Sequence, residues 1–166
     1  MSTNYQRPGG GYPDPKPPRP QGQGWSQSNQ PPSRLTEDWL NWLKEKIKFE
    51  KLDPDIFSTV AEHAAKEVHT GKTNKRTQLR HFYDELTMWN DRVEQEPGKY
   101  QELAPFIKML KAKVVYAESR RHVDKKFTDL LTRCLDEIKD PKTLRHAKVF
   151  LEAFMGFYRQ YDSNPE

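Results

Sequence analysis

From residue 36 onward, apolar residues recur three and four apart and almost nowhere alternate at a period of two, which predicts helices and no sheet. Thr36 followed by Glu37 and Asp38 reads as a helix start, a hydroxyl cap with acids at the positive end of the dipole, and Leu40, Leu43 and Ile47 supply one stripe. Asp53-Pro54 opens a second helix with Ile56, Phe57, Val60, Ala64 and Val68 on its face, and Gly71 stops it as a C-cap. A third runs from about Asn74 to Val93 through Leu79, Phe82, Tyr83, Leu86 and Trp89. After the Pro97-Gly98 break, a fourth is expected over 104–117, burying Phe106, Ile107, Leu110 and Val114.

The cleanest stripe belongs to the fifth helix: Val123, Phe127, Leu130, Leu131, Cys134, Leu135 and Ile138. Asp140-Pro141 repeats the opening device of the second helix and begins the last, which reaches about Tyr161. Its apolar surface is wide. Leu144, Leu151, Met155 and Tyr158 lie on one side and Phe150, Phe154, Phe157 and Tyr161 spread round the other, so part of that surface is expected to meet a partner. The fold class is all-α, a single bundle of five to six helices.

Composition sets the bundle's boundary. Eight of the 13 prolines and five of the eight glycines fall in residues 1–34, where stretches such as PDPKPPRPQGQG hold too little apolar surface to offset the entropy of ordering them. Residues 1–34 are therefore expected to be a disordered low-complexity tail, and 35–166 the helical domain. The tail also carries +3 of the net charge of +4, so any anion-binding surface on the domain must be a local cluster. A single cysteine excludes an internal disulfide, and no apolar run approaches a membrane span; a soluble, intracellular, cytoplasmic protein is expected, with no membrane partner.

Gly71-Lys72-Thr73 invites a phosphate-loop reading, but Lys66 stands where the loop needs its first glycine, and helix precedes it. His81 with Glu85, and Glu118 with His122, sit four apart with no third ligand nearby, and Cys134 lies within an apolar stripe. No catalytic residue, metal site or cofactor is assigned.

Basic clustering survives this elimination. Lys72, Lys75, Arg76 and Arg80 occur between Glu67 and Asp84 with no acid among them. Lys108, Lys111, Lys113, Arg120, Arg121, Lys125 and Lys126 meet only Glu118 and Asp124. Such residues either coat a solvated helix surface or neutralise phosphates of a nucleic-acid backbone, a mode that gives steep salt dependence without base readout. Trp39 adjoins the Leu43 stripe and is assigned to the core; Trp42 and Phe49 on the other flank, with Phe150 and Phe157 of the last helix, are candidate subunit-interface residues.

Three segments, TNKRTQLRHFYDEL, PFIKMLKAKVVYAESRR and HAKVFLEAFMGFYRQY, occur in that order within residues 35–161. Together they resemble the small Csm-type subunit of type III-A CRISPR interference complexes. Thr77, Gln78, Leu79 and Arg80 match the family's motif entering a long helix; Leu110, Lys111, Lys113, Tyr116 and Ala117, continuing to Arg120, match a second; the third segment has Leu151 where methionine is usual. The resemblance implies a noncatalytic RNA-binding helical subunit. It would stack on its own copies as a filament beside the guide-bearing backbone subunits and the large signalling subunit, lining the groove where guide RNA and target RNA pair. It carries an RNA-backbone role onto Arg80, Lys111, Lys113 and Arg120, and Lys72, Lys75, Arg76 and Arg121 join as neighbours in the two clusters. A protein-interaction bundle with solvated cations, and a metal-dependent nuclease, remain the alternatives from the residues alone.

Overall fold

A computed structural model describes Met1, residues 34–69 and residues 72–161. The expected tail and the Gly71 C-cap lie outside the described residues, Met1 and Arg34 apart. The described helices all belong to one compact unit, Pro32–Glu166. They are α1 (Arg34–Lys46), α2 (Ala61–Val68), α3 (Arg76–Gln95), α4 (Tyr100–Lys108), α5 (Leu110–Ser119), α6 (Lys125–Asp136) and α7 (Pro141–Tyr158). A π-helical turn, Ile56–Val60, leads into α2, and a 3-10 turn, Pro97–Lys99, leads into α4. No strand occurs among the described residues. The chain is an all-α bundle, and α4 with α5 forms the expected fourth helix, interrupted only at Met109. Pro105 inside α4 removes one ladder hydrogen bond just before that break.

α7 begins where sequence chemistry places it, while α6 begins at Lys125, two residues after the first residue of its expected stripe, Val123. Asp124 caps α6 by accepting from the Phe127 backbone N–H at 3.0 Å. Asp140 and Thr143 form a capping box at the start of α7, with Pro141 in its first turn. Every residue of the α6 stripe is buried. Each such aliphatic or aromatic side chain contributes roughly 1.5–3 kcal/mol of burial free energy.

Other starts and faces differ from the pattern reading. α1 begins at Arg34, which places Thr36 inside its first turn, and its buried line is Trp39, Leu43 and Ile47 while Leu40 is half-exposed. α3 begins at Arg76, leaving Asn74 outside it in left-handed backbone with φ 60°. Phe106 is exposed and stacks on Trp89 at 6.0 Å between ring centroids.

The wide face of α7 has an internal explanation. α7 packs against α2, α3 and the π-helical turn, so both its sides meet core. Phe154 contacts Phe127 of α6, and Phe150 contacts Phe49, which follows α1. Helix ends elsewhere are closed by long side chains. Arg133 donates to the carbonyls of Ile47 (2.9 Å) and Lys44 (3.4 Å) at the end of α1. The Lys108 ammonium donates to Leu135 and, at 2.8 Å, to Ile138 at the end of α6.

Candidate nucleic-acid interface

Asn74 organises one end of the bundle. Asparagine tolerates left-handed backbone better than most residues because its short polar side chain bonds locally, and here both ends of the amide are used that way. Its Nδ2 donates to the Val68 carbonyl at 2.8 Å, closing the end of α2. Its Oδ1 accepts from the Asp124 backbone N–H at 2.8 Å, in the loop between α5 and α6. Its own carbonyl accepts from the Tyr158 hydroxyl at 2.7 Å, on the last residue of α7. Asn74 and Tyr158 are both buried, so leaving any of these groups unpaired would carry a full desolvation cost. Loop 72–75, the start of α3, loop 120–124 and the end of α7 therefore meet at one place.

Four of the predicted cations lie in those two loops. Lys72, Lys75, Arg120 and Arg121 are exposed, and among the described residues no carboxylate comes within 4 Å of any of them. Arg120 instead lies over the exposed Tyr116 ring, 5.8 Å from its centroid. Arg121 has a more unusual setting. The Arg121 N–H donates to the Glu118 carbonyl at 2.8 Å and the His122 N–H to the Ala117 carbonyl at 3.0 Å, the paired closure of a Schellman motif. The left-handed position of that motif is glycine's usual place, yet an arginine holds it with φ 60° and its side chain in solvent. Arg76 and Arg80 continue the basic surface along α3, Arg80 with a loose exposed contact to Asp84 at 3.6 Å.

Lys111 and Lys113 fare differently. Lys111 bonds to Asp136 of α6, and Lys113 to Glu85 of α3 at 2.6 Å. The other lysines of that second run are also occupied: Lys108 closes α6, Lys125 meets Asp129, and Lys126 donates to Glu67 at 2.8 Å. That hydrogen bond holds the Glu67 carboxyl below the usual carboxylate range. Burial draws the Lys108 ammonium down from its ordinary value. Within a cluster that reads as strongly basic along the chain, Lys111, Lys113 and Lys126 are thus neutralised by acids from other helices and Lys125 by one from its own.

Two predicted interface residues are corrected outright. Phe49 and Phe150 are 0% exposed and pack on each other at 5.9 Å, so neither presents a surface to another chain. Trp42 is half-buried, stacked on Trp39 at 5.2 Å with rings 9° apart, and Phe157 is half-buried against the core. The exposed large apolar side chains lie elsewhere: Met88 on α3, and Phe106, Met109, Val115 and Tyr116 along α4 and α5.

Sequence reading missed Arg159. It follows Tyr158 and lines a groove between α3 and α7 with Arg76, Arg80, Tyr83, Glu152, Met155 and Gly156. Its only signal in the sequence is a lone arginine inside the apolar FYRQY, where no cluster marks it. Cys134 is fully buried, and burial pushes its thiol far above its ordinary value, which removes the thiolate a nucleophile needs. Among the described residues no three His, Cys, Asp or Glu side chains gather as metal ligands, and no helix is long and apolar enough to cross a membrane.

In comparison with protein families, the family described as Csm2 Type III-A matches over residues 51–164. The matched span holds α2 through α7 and leaves α1 outside, starting later than residue 35 but well before the first motif segment at Thr73. No curated protein and no solved structure matches the chain.

Proposed function

Because the chain belongs to the Csm2 family of type III-A and is a subunit of the type III-A CRISPR complex, we propose that it serves there as a noncatalytic RNA-binding scaffold. Its cations follow the phosphates of guide RNA and target RNA, and base pairing between the strands supplies the sequence specificity. The observation that carries this reading is the end of the bundle built on Asn74, where Lys72, Lys75, Arg120 and Arg121 converge without carboxylates among the described residues, flanked by Arg76, Arg80 and Arg159. An arginine kept in glycine's conformation supports it, since backbone strain of this kind is retained where the side chain serves a function. Copies of the chain stack on one another and on the other subunits of the complex. The exposed Phe106, Met109, Val115 and Tyr116 supply apolar surface for that, in place of Phe49 and Phe150. The Pro/Gly-rich residues that precede α1 act as a tether for the helical domain.

The test is RNA binding against salt concentration. Replacing Lys72, Lys75, Arg120 and Arg121 together with alanine is expected to flatten the plot of log affinity against log salt by about three, near 0.7 for each phosphate of a single strand that is no longer neutralised. Far-ultraviolet circular dichroism should stay unchanged. An identical slope in the quadruple variant would sink the proposal. The exposed apolar residues of α4 and α5 favour a second reading, a protein-interaction bundle that leaves nucleic acid alone. That reading requires self-association or subunit capture with no salt-sensitive RNA retention at all.

A further inference from the structure

Gly156 stands in the last turn of α7, two residues before its end at Tyr158, where its backbone is still helical and a glycine costs stability relative to alanine. Neither of the usual reasons for it applies. Its φ is not left-handed, and a β-carbon built there meets no atom within 4 Å. Among the described residues no packing therefore requires the missing side chain; the residue is exposed, and the bare backbone opens on the groove between α3 and α7.

The lining of that groove says what approaches it. Arg76 and Arg80 from α3 and Arg159 from the end of α7 set three guanidinium groups around a space of about 250 Å³. Glu152, the one acid in the lining among the described residues, accepts from Lys148 at 2.7 Å, and the exposed Arg80–Asp84 contact is of a kind that contributes little and opens readily. Tyr83 and Met155 give the groove an apolar wall. Planar guanidinium groups match phosphate oxygens, an aromatic ring stacks on a base or sugar, and a helix without a side chain lets that group come close. The volume is of the size of one nucleotide, too small for a base pair to enter.

We propose that the α3–α7 groove seats a single unpaired ribonucleotide of the bound RNA, its phosphate among Arg76, Arg80 and Arg159 and its sugar or base against Tyr83, Met155 and the open backbone at Gly156. This rests on the RNA-binding reading above and adds a preference for single strands. A partner protein helix laid on Gly156 is the competing occupant; three converging arginines favour the anion.

The experiment measures fluorescence anisotropy of a labelled short oligouridine, and of a duplex RNA of equal length, with the full chain and its Gly156→Ala and Gly156→Leu variants. Gly156→Ala should raise the melting temperature by roughly 3 °C, because helix propensity improves and nothing is struck. Gly156→Leu should weaken oligouridine binding about tenfold, within the range of losing one stacked nucleotide, and leave duplex binding unchanged. The groove assignment is overturned if Gly156→Leu binds oligouridine like the wild type, if both RNAs weaken equally, or if the variant changes only self-association in gel filtration. A wild-type chain that binds neither RNA removes the RNA reading itself. Loss on replacing Lys72, Lys75, Arg120 and Arg121 without loss in Gly156→Leu removes the groove alone.

Discussion

The end of the bundle around Asn74 and the flank formed by α5 and α6 carry cations at similar density along the chain, yet only on the flank do carboxylates come alongside. Lys111, Lys113, Lys125 and Lys126 each meet an acid, while Lys72, Lys75, Arg120 and Arg121 meet none among the described residues. Exposed pairs of this kind stabilise a fold by only ~0–1 kcal/mol, so their main effect is on the field: they cancel it. The difference teaches that a run of lysines in a helical protein is no measure of anion attraction until the helices opposite are known. What separates the two regions is the company each cation keeps, and the backbone of the attractive one is fixed by a single uncharged residue.

That makes Asn74 the place where the comparison breaks most easily. Asn74→Ala removes two side-chain hydrogen bonds, leaves the Val68 carbonyl and the Asp124 N–H without their partner, and strains the backbone by putting a β-carbon with no local hydrogen bond at φ 60°. Thermal or urea unfolding should show a loss of about 3 kcal/mol. RNA affinity should fall as well, with no charge altered, as the two loops drift apart; Asn74→Gly, which relieves φ alone, should recover only part of the stability. Affinity unaffected by Asn74→Ala would mean that the loops need no fastening.

Arg121→Gly gives a smaller effect with opposite signs in two assays. Stability should rise by up to about 1 kcal/mol as the left-handed strain disappears, while the salt slope of RNA binding drops by about 0.7 with one phosphate fewer neutralised. A fall in both would show that the arginine is held by contacts of its own.

Acid titration sharpens the flank side. The Glu67 carboxyl, drawn below its ordinary value by the Lys126 hydrogen bond, stabilises the fold above its unfolded value of about 4.3, and that contribution is lost as pH falls through the lower folded value. Glu67→Gln should therefore flatten the decline in stability between neutral and strongly acid solution, measured by thermal melts across pH. An unaltered pH profile would rule out that pair as a contributor.

The smallest change is expected from Lys111→Ala with Lys113→Ala, which should alter RNA affinity by less than about threefold, since those cations are already paired with Asp136 and Glu85. The reverse experiment is more telling. Asp136→Asn with Glu85→Gln frees both lysines and should raise affinity and steepen its salt dependence.

Local chemistry carried much of the fold. The α6 stripe and the Asp140-Pro141 start stand as the pattern reads them, because a helix buried on one face and a side-chain cap are settled within a few residues. α1 shows the limit: a rotation of one position exchanges Leu40 for Trp39, and only the packing partner decides between them. The breadth of the apolar face on α7 was legible, but its meaning was not, since a helix central to the bundle and a helix facing a partner produce the same pattern. For the candidate site, both basic clusters were visible and their fates were hidden. The acid that meets Lys113 lies 28 residues away, that for Lys111 lies 25 away, and that for Lys126 lies 59 away. Arg159 escaped notice for a related reason: it joins Arg76 and Arg80 only through the packing of α7 on α3.

The hydroxyl of Tyr158 reaching the Asn74 carbonyl has a further consequence in time. On a chain emerging from the ribosome, α2, α3 and the α5–α6 loop are all made before α7, so the clasp has no Tyr158 to close on until α7 has left the exit tunnel. A nascent fragment lacking that turn presents loose basic loops in place of a shaped surface, which ties RNA capture to the completion of the bundle.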